Sequence, residues 1–480
     1  MSCGKVFLVR QCMILIASCL YNFSSGIFLA HTSVLNPAIL SPNAVIKATP
    51  DQASWIAASH GIAGLLGFIV MSPIFEFFGR KTANIITNLF ILSGCLIYYV
   101  ATDVYSLAFG RLAQGLSMGG NFICLISLSE CISPKRRGYF IVLNKVSIAL
   151  GSLVCHSLGF ILDWRQIATL AALPTLIAIS LYSVCAESPS FYAMRGQFDK
   201  CEKTFKWYRG DSLSAKKELK DFVAAQMENL EKKSNKKIST FKQTMQILAT
   251  KEFRKSFFTV TLATLCIDSC GRYFLLAYLT QILEEITNNR SISMQITVAF
   301  DFVLIFSLCA SCFIVKLFKR RTLLFKLGFC SVFFMFFISF AVIMGNKFTF
   351  LQHSKWLIPS IILLQTLVTN IGLVPIAFTL IGEIFSLEHR AVGSFLSGIV
   401  FTVFYTLVMK LTPIMIEYTG VEGTYSIYGL CLLVCLLLLQ LILPETKDKT
   451  LQQIEDEIKG VVRSNSDTEL LKIPKNSAMC

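Results

Sequence analysis

Twelve stretches of about twenty residues, rich in Leu, Ile, Phe, Val and Ala and nearly free of charge, dominate this chain. They fall at approximately 12–31, 55–75, 83–102, 106–129, 139–161, 166–185, 257–280, 294–317, 323–344, 356–381, 391–413 and 423–443. No soluble core buries so many runs of that length, so hydrocarbon is the expected solvent. In hydrocarbon the backbone must satisfy its own hydrogen bonds, which leaves helices or a closed barrel. The runs are long and do not alternate strictly, which selects helices. Apolar residues make up 54% of the chain against 15% charged, and the mean hydropathy is +0.63. The fold class expected is an all-α membrane protein.

The net charge of +15 would suggest a nucleic-acid partner in a soluble chain. Here the basic residues gather in alternate loops, at Arg80-Lys81, Lys135-Arg136-Arg137, 195–255, Lys319-Arg320-Arg321 and Arg390. That is the positive-inside pattern, which places both termini and the long central loop in the cytoplasm. No nucleic-acid partner is implied; membrane lipid and a small-molecule solute are. The 17 cysteines lie mostly inside apolar runs, as Cys266 and Cys431 do, and read as packing residues. No metal or cofactor is called for, and no P-loop is present to drive an ATP-fuelled pump.

Internal repetition divides the chain. Phe78-Gly79-Arg80-Lys81-Thr82 recurs about 240 residues later as Phe318-Lys319-Arg320-Arg321-Thr322. Glu130 precedes Arg137 by the spacing with which Glu383 precedes Arg390, and Glu187-Ser188-Pro189 has its counterpart in Pro444-Glu445-Thr446. A duplicated six-helix unit around a midplane site is a transporter architecture. The expected parts are an N-terminal six-helix bundle (1–185), a cytoplasmic loop with amphipathic helices (186–256), a C-terminal six-helix bundle (257–443) and a cytoplasmic tail (444–480). In the loop, Leu219, Phe222, Val223, Met227 and Leu230 share one helix face.

Arg80, Arg111, Glu130, Arg137, Glu187, Arg320, Glu383, Arg390 and Glu445 are the expected cytoplasmic gate network. Carboxylates and guanidiniums at helix ends pair bidentately, and ties between the halves would hold an inner gate shut. Gly110-Arg111, Gly115 and Gly119-Gly120 mark a helix whose small residues permit close approach.

The ordered set Gln52-Ala53-Ser54-Trp55, Gly79-Arg80-Lys81, Gly110-Arg111, Glu130, Ser133-Pro134, Arg137-Gly138, Glu187-Ser188-Pro189, Trp207-Tyr208-Arg209-Gly210, Glu383, Arg390 and Pro444-Glu445-Thr446-Lys447 resembles the sugar-porter branch of the major facilitator superfamily. The pattern is most similar to insect facilitated trehalose transporters and runs from about residue 12 to 458. The resemblance implies twelve transmembrane helices in two pseudo-symmetric bundles, and a plasma-membrane carrier of a sugar working by alternating access.

The sugar-contact positions depart from the family pattern. Where the family carries Gln in span 5, this chain has Lys145. The span-7 pattern Gln-Gln-x-Ser-Gly-x-Asn reads Ile267-Asp268-Ser269-Cys270-Gly271-Arg272-Tyr273, the usual span-10 Trp is Phe378, and the span-11 Asn-Trp pair is Phe401-Thr402. Ser127 replaces a Tyr, and the second basic loop, with Lys316 and Lys319, has lost its acid and its Gly. Amides both donate to and accept from sugar hydroxyls, whereas an ionised Lys or Asp answers only one role. A charge at a span centre costs about 2.5–3.5 kcal/mol unless it meets a wet cavity or a countercharge. A Lys145–Asp268 ion pair across the midplane is therefore expected, with Arg272 on the same helix face as Asp268 and Asp301 inside span 8.

The remaining substrate-cavity candidates are Asn22, Tyr273, Asn370, Phe378 and Thr402, with Gln114, Asn121, Thr366, Thr369 and Glu383 as further polar groups. Asn289-Arg290-Ser291 is a glycosylation sequon in an outer loop; Asn22-Phe23-Ser24 lies in a span and is unused. Span 1 contains no Asp or Glu, so facilitated diffusion is the default, while His31, His156, Asp268 and Asp301 keep proton coupling open. Three readings stand: a facilitative carrier for trehalose or a hexose, a carrier for a charged or zwitterionic solute, and a non-transporting sensor.

Overall fold

A computed structural model describes residues 3–234, 248–347, 356–385 and 390–445. All regular structure among them is helical. The first half comprises α1 (Cys3–Leu40), α2 (Pro50–Phe78), α3 (Arg80–Val100), α4 (Val104–Gly115), α5 (Gly120–Cys131), α6 (Pro134–Leu158), α7 (Trp164–Leu170) and α8 (Ala172–Val184). Helices α9 (Pro189–Met194), α10 (Phe198–Arg209) and α11 (Leu213–Ser234) follow. The second half comprises α12 (Lys251–Ser269), α13 (Arg272–Thr287), α14 (Arg290–Leu317), α15 (Arg320–Lys347), α16 (Leu357–Val368), α17 (Val374–Glu383) and α18 (Arg390–Ile442).

Six spans are built from more than one helical piece or share a piece: α7 with α8 and α12 with α13 each make one crossing. A 3₁₀ turn, Leu116–Gly119, joins α4 to α5, and a π turn, Thr369–Leu373, joins α16 to α17. Conversely α18 holds two spans, separated at Gly420, where φ is +70°. Among the described residues, eleven stretches are long and apolar enough to cross a membrane, one of them the double run Phe395–Ile442. Twelve crossings result, as the hydropathy pattern requires.

Local chemistry sets the helix starts on the side opposite the chain's first residues. Thr49 with Gln52, Asp103 with Ser106 and Asp163 with Gln166 form reciprocal capping boxes at α2, α4 and α7. Each satisfies amides that a helix start leaves orphaned. At the other face, the turn from α2 into α3 requires Gly79: its φ is +95°, and a Cβ there would lie 2.3 Å from the Glu187 carboxylate.

The two halves meet along three helix pairs. Helix α2 runs antiparallel to the first part of α18, α6 packs on α14, and α1 packs on α13. The segment after α8 docks on the first half. Arg10 lies over the Trp207 ring, 4.7 Å from its centroid, and Gln11 donates to the Tyr208 carbonyl at 2.8 Å. Arg209 donates to the Ile132 carbonyl at 2.6 Å and pairs with Glu218. On α11, Leu219, Phe222 and Val223 are half-buried while Met227 is exposed; the Leu230 side chain lies outside the described residues.

Two expectations are corrected at this level. Arg111 is not at the membrane boundary that carries Arg80 and Glu130. It lies in the second turn of α4, close to where that helix enters from the opposite face, and roughly 28 Å along the axis from Glu130. Asp268 and Arg272 do not share a helix face either. Gly271, at φ +95°, turns the chain out of the helix between them, so Asp268 ends α12 and Arg272 opens α13.

Candidate transport cavity and helix-end networks

At the face where the chain begins, the first basic turn is held by two carboxylates. Arg80 donates to both oxygens of Glu130, Nε at 3.0 Å and Nη2 at 3.1 Å, and the Ser188 hydroxyl donates to the same carboxylate. The Phe75 ring, 4.1 Å from the guanidinium carbon, covers one side. Glu187 sits on the open start of α3, accepting from the backbone amides of Arg80 at 2.9 Å and Lys81 at 3.1 Å, as an anion at a positive helix end should. Burial pushes the Glu187 carboxyl up from its ordinary value, against the amides of Ser188, Lys81 and Arg80 that hold it down.

The second half repeats this arrangement. Glu445 accepts from the amides of Arg320 and Arg321, both at 3.1 Å, at the start of α15. Lys81 Nζ donates to the Ser183 carbonyl at 2.6 Å, and Arg321 Nη2 donates to the Gln440 carbonyl at 2.8 Å. The repeat read from sequence is thus a repeat of hydrogen bonds. These ties do not join the halves: Arg80, Glu130 and Glu187 belong to the first half, and Arg320 and Glu445 to the second. A cross-half role for Arg137, Glu383 and Arg390 falls on side chains outside the described residues.

Arg111 belongs to a different cluster. It is 1% exposed, donates to the Phe28 carbonyl at 2.6 Å and to the Thr32 hydroxyl, and shares a long contact of 3.4 Å with Gln114. His31, His60 and Tyr98 lie within its electrostatic reach. Asn22 and Thr402 are buried, Thr402 donating to the Gly398 carbonyl in its own helix, and the Asn121 side-chain oxygen is buried without a partner. Thr366 and Thr369 bond within their own segment, Thr369 also to Ser331 at 3.0 Å.

The centre of the protein holds two cations. Lys145, on α6, is enclosed by protein yet exposed, so it borders an open space inside the bundle. Its Nζ lies 6.0 Å from the centroid of Phe378, which is itself 38% exposed. Arg272 lies close enough to Lys145 to interact electrostatically, and its Nη1 donates to Asn370 Oδ1 at 2.6 Å. Tyr273 meets Phe401 and Tyr405 edge-on, at 5.6 and 5.3 Å between centroids, which extends an aromatic wall beside them.

The expected Lys145–Asp268 ion pair does not form. Asp268 is 1% exposed, and neither of its oxygens has a hydrogen-bond partner among the described residues. Ahead of the Gly271 turn, it lies within reach of Tyr273, Tyr405 and Tyr428 rather than of a cation. The carboxylate that does bridge the halves is Asp301 on α14. It accepts from Ser152 at 2.9 Å and meets His156 Nδ1 at 2.5 Å, both on α6.

A second bridge was not anticipated. Lys410 on α18 reaches Asp51 Oδ1 at 2.6 Å and the Ser54 hydroxyl at 2.7 Å, and stacks 4.3 Å from the Trp55 ring. The signal was a lone Lys in the eleventh apolar run, opposite the Gln52-Ala53-Ser54-Trp55 motif. Asn289 caps α14 through its side-chain oxygen, 3.1 Å from the Ile292 amide. Cys309 and Cys312, separated by two residues within α14, join no set of three or more metal-ligating side chains among the described residues.

Residues 11–458 match the family model described as sugar (and other) transporter. The chain belongs to the sugar (and other) transporter family. It is 24% identical over 473 residues to the facilitated trehalose transporter Tret1 of Apis mellifera ligustica, covering 97% of this chain and 92% of that one. To the Tret1 of Drosophila pseudoobscura pseudoobscura it is 23% identical, covering 98% of this chain but 53% of the relative, so it spans about half of that longer protein. Among solved structures, the partially occluded inward-open xylose transporter XylE from E. coli matches with a TM-score of 0.74 at 16% identity, covering 93% of this chain and 100% of that one. XylE bound to 6-bromo-6-deoxy-D-glucose matches with a TM-score of 0.71, covering 95% and 99%. The transporter is thus a multi-pass membrane protein with the major facilitator fold.

Proposed function

We propose that this protein is a facilitative carrier that moves a sugar across the plasma membrane by alternating access, with trehalose or a hexose as the first candidates. The observation that carries the reading is the accessible space at Lys145, Arg272 and Phe378, enclosed between two six-helix halves of a sugar-transporter family member. The relatives bear the name of facilitated trehalose transporters. Residues 12–31 contain no carboxylate, so the first span has no acid to couple a proton.

In this reading 1–185 and 257–443 are the rocking bundles, 186–256 and 444–480 lie in the cytoplasm, and the positive-inside rule orients the whole. The Arg80–Glu130–Glu187 and Arg320–Glu445 networks keep each bundle's helix ends rigid. Gating between bundles then falls to Arg137, Glu383 and Arg390. A glycan on Asn289 would fix the outer face, and loss of an endoglycosidase-sensitive mass shift in Asn289→Gln tests it.

The deciding test is uptake of radiolabelled carbohydrates by cells expressing the full chain, at two pH values, with surface delivery confirmed. Saturable uptake that is indifferent to pH is expected. Absence of uptake for every carbohydrate at full surface expression would overturn the reading.

A further inference from the structure

The centre of this transporter carries two cations that no carboxylate contacts directly among the described residues. Lys145 and Arg272 come from opposite halves and act on one another electrostatically. Neither makes an ion pair among the described residues. Arg272 spends one donor on Asn370, and its other donors have no protein partner among the described residues. Arginine stays charged under any condition met in a protein.

Two carboxylates lie near enough to be considered, and among the described residues neither contacts Lys145 or Arg272 directly. Asp301 acts on Arg272 from a distance, but its oxygens contact Ser152 and His156, and it makes no hydrogen bond to either cation. Asp268 is buried among tyrosines beyond the Gly271 turn. A third positive feature points the same way: Arg272 opens α13, whose start follows a left-handed glycine and has no side-chain cap. Broken helices in transporters present such ends to anionic substrate groups. Cations at this depth are tolerated only when a cavity or an opposite charge meets them, and guanidinium binds carboxylate and phosphate through paired donors.

We propose that the cargo is an anionic carbohydrate whose carboxylate or phosphate is held between Lys145 and Arg272. The inference rests on the sugar-carrier reading and replaces a neutral sugar with an acidic one. The anion bridges α6 and α13, one helix from each half, and so draws the halves together over the ligand. Tyr273, Phe378 and Phe401 supply ring surface for the apolar face of the sugar. Asn370, held by Arg272, is placed to answer a hydroxyl.

The test measures uptake of radiolabelled D-glucuronate, glucose 6-phosphate, glucose, trehalose and succinate by the full chain in proteoliposomes. It is paired with thermal stabilisation of the purified protein by each compound. Saturable uptake of glucuronate or glucose 6-phosphate is expected, with a half-saturation concentration roughly tenfold or more below that of glucose, as charged hydrogen bonds imply. The two anions separate carboxylate from phosphate recognition. Lys145→Gln is expected to raise the anion's half-saturation by roughly tenfold or more, and Lys145→Arg to restore it. Glucose or trehalose uptake with no anion uptake overturns the inference and leaves the sugar-carrier function standing. Succinate carried as well as glucuronate overturns the carbohydrate part, and anion uptake indifferent to Lys145→Gln overturns the assigned site. Neither uptake nor stabilisation by any of the sugars overturns both readings.

Discussion

A charge at a helix end and a charge at mid-span obey different energetics in this protein. Arg80 is 4% exposed and bidentate with Glu130, so removing the acid strands a buried guanidinium. Glu130→Gln should cost about 3 kcal/mol, the usual penalty for breaking a buried pair from one side. A lowered unfolding midpoint of the purified protein checks it; an unchanged midpoint would mean that Ser188 and Phe75 suffice to hold Arg80. Asp268 presents the reverse case. Its oxygens are buried and unpartnered, so Asp268→Asn should leave the midpoint unchanged or raise it. The same geometry predicts that the charge swap Lys145→Asp with Asp268→Lys gives no more surface expression than the single variants, because the two groups do not meet. Rescue by the swap would restore the ion pair that the sequence suggested.

At the scale of elements, the twelve spans, the duplicated unit and the basic loop motifs were legible because each is written in composition or spacing. Helix depth was not. Arg111 stands at the start of a Gly-rich stretch and resembles a boundary charge, but its partners, Phe28 and Thr32, come from α1 and cannot be seen from span four. The Asp268–Arg272 spacing satisfies helical periodicity, and only the left-handed conformation at Gly271 shows that periodicity does not apply there. The π turn at Thr369–Leu373, which sets Asn370 before Arg272, left no compositional mark either. Gly271 is therefore the residue on which the site's geometry turns. Gly271→Ala should destabilise by about 1–2 kcal/mol, the cost of a left-handed L-residue. It should also depress transport at equal surface level, since a straightened helix carries Arg272 away from Lys145. Wild-type uptake in Gly271→Ala would show that the break does not set the site.

For the whole molecule, the decisive question is whether the halves part. They are tied on the face opposite the termini by Lys410 with Asp51 and Ser54, and nearer the middle by His156 with Asp301. Deeper along α2 than Asp51, α2 and α18 are in direct contact: a Cβ built on Gly61 lies 3.0 Å from the Thr406 Cβ, close to the separation a disulfide spans. Alternating access requires this contact to open once in every cycle, because only then does the central space face that side. Gly61→Cys with Thr406→Cys should therefore stop uptake under oxidising conditions, and a reductant should restore it. Each single variant, carrying the native cysteines, serves as the control for oxidation elsewhere. Retained uptake in the cross-linked protein would mean that α2 and α18 move as one body, and that any opening occurs along the α6–α14 or α1–α13 contact instead. Loss with recovery would identify the α2–α18 seam as the moving gate and give the Lys410–Asp51 contact its role: a latch that favours closure of the face opposite the termini until cargo binding offsets it.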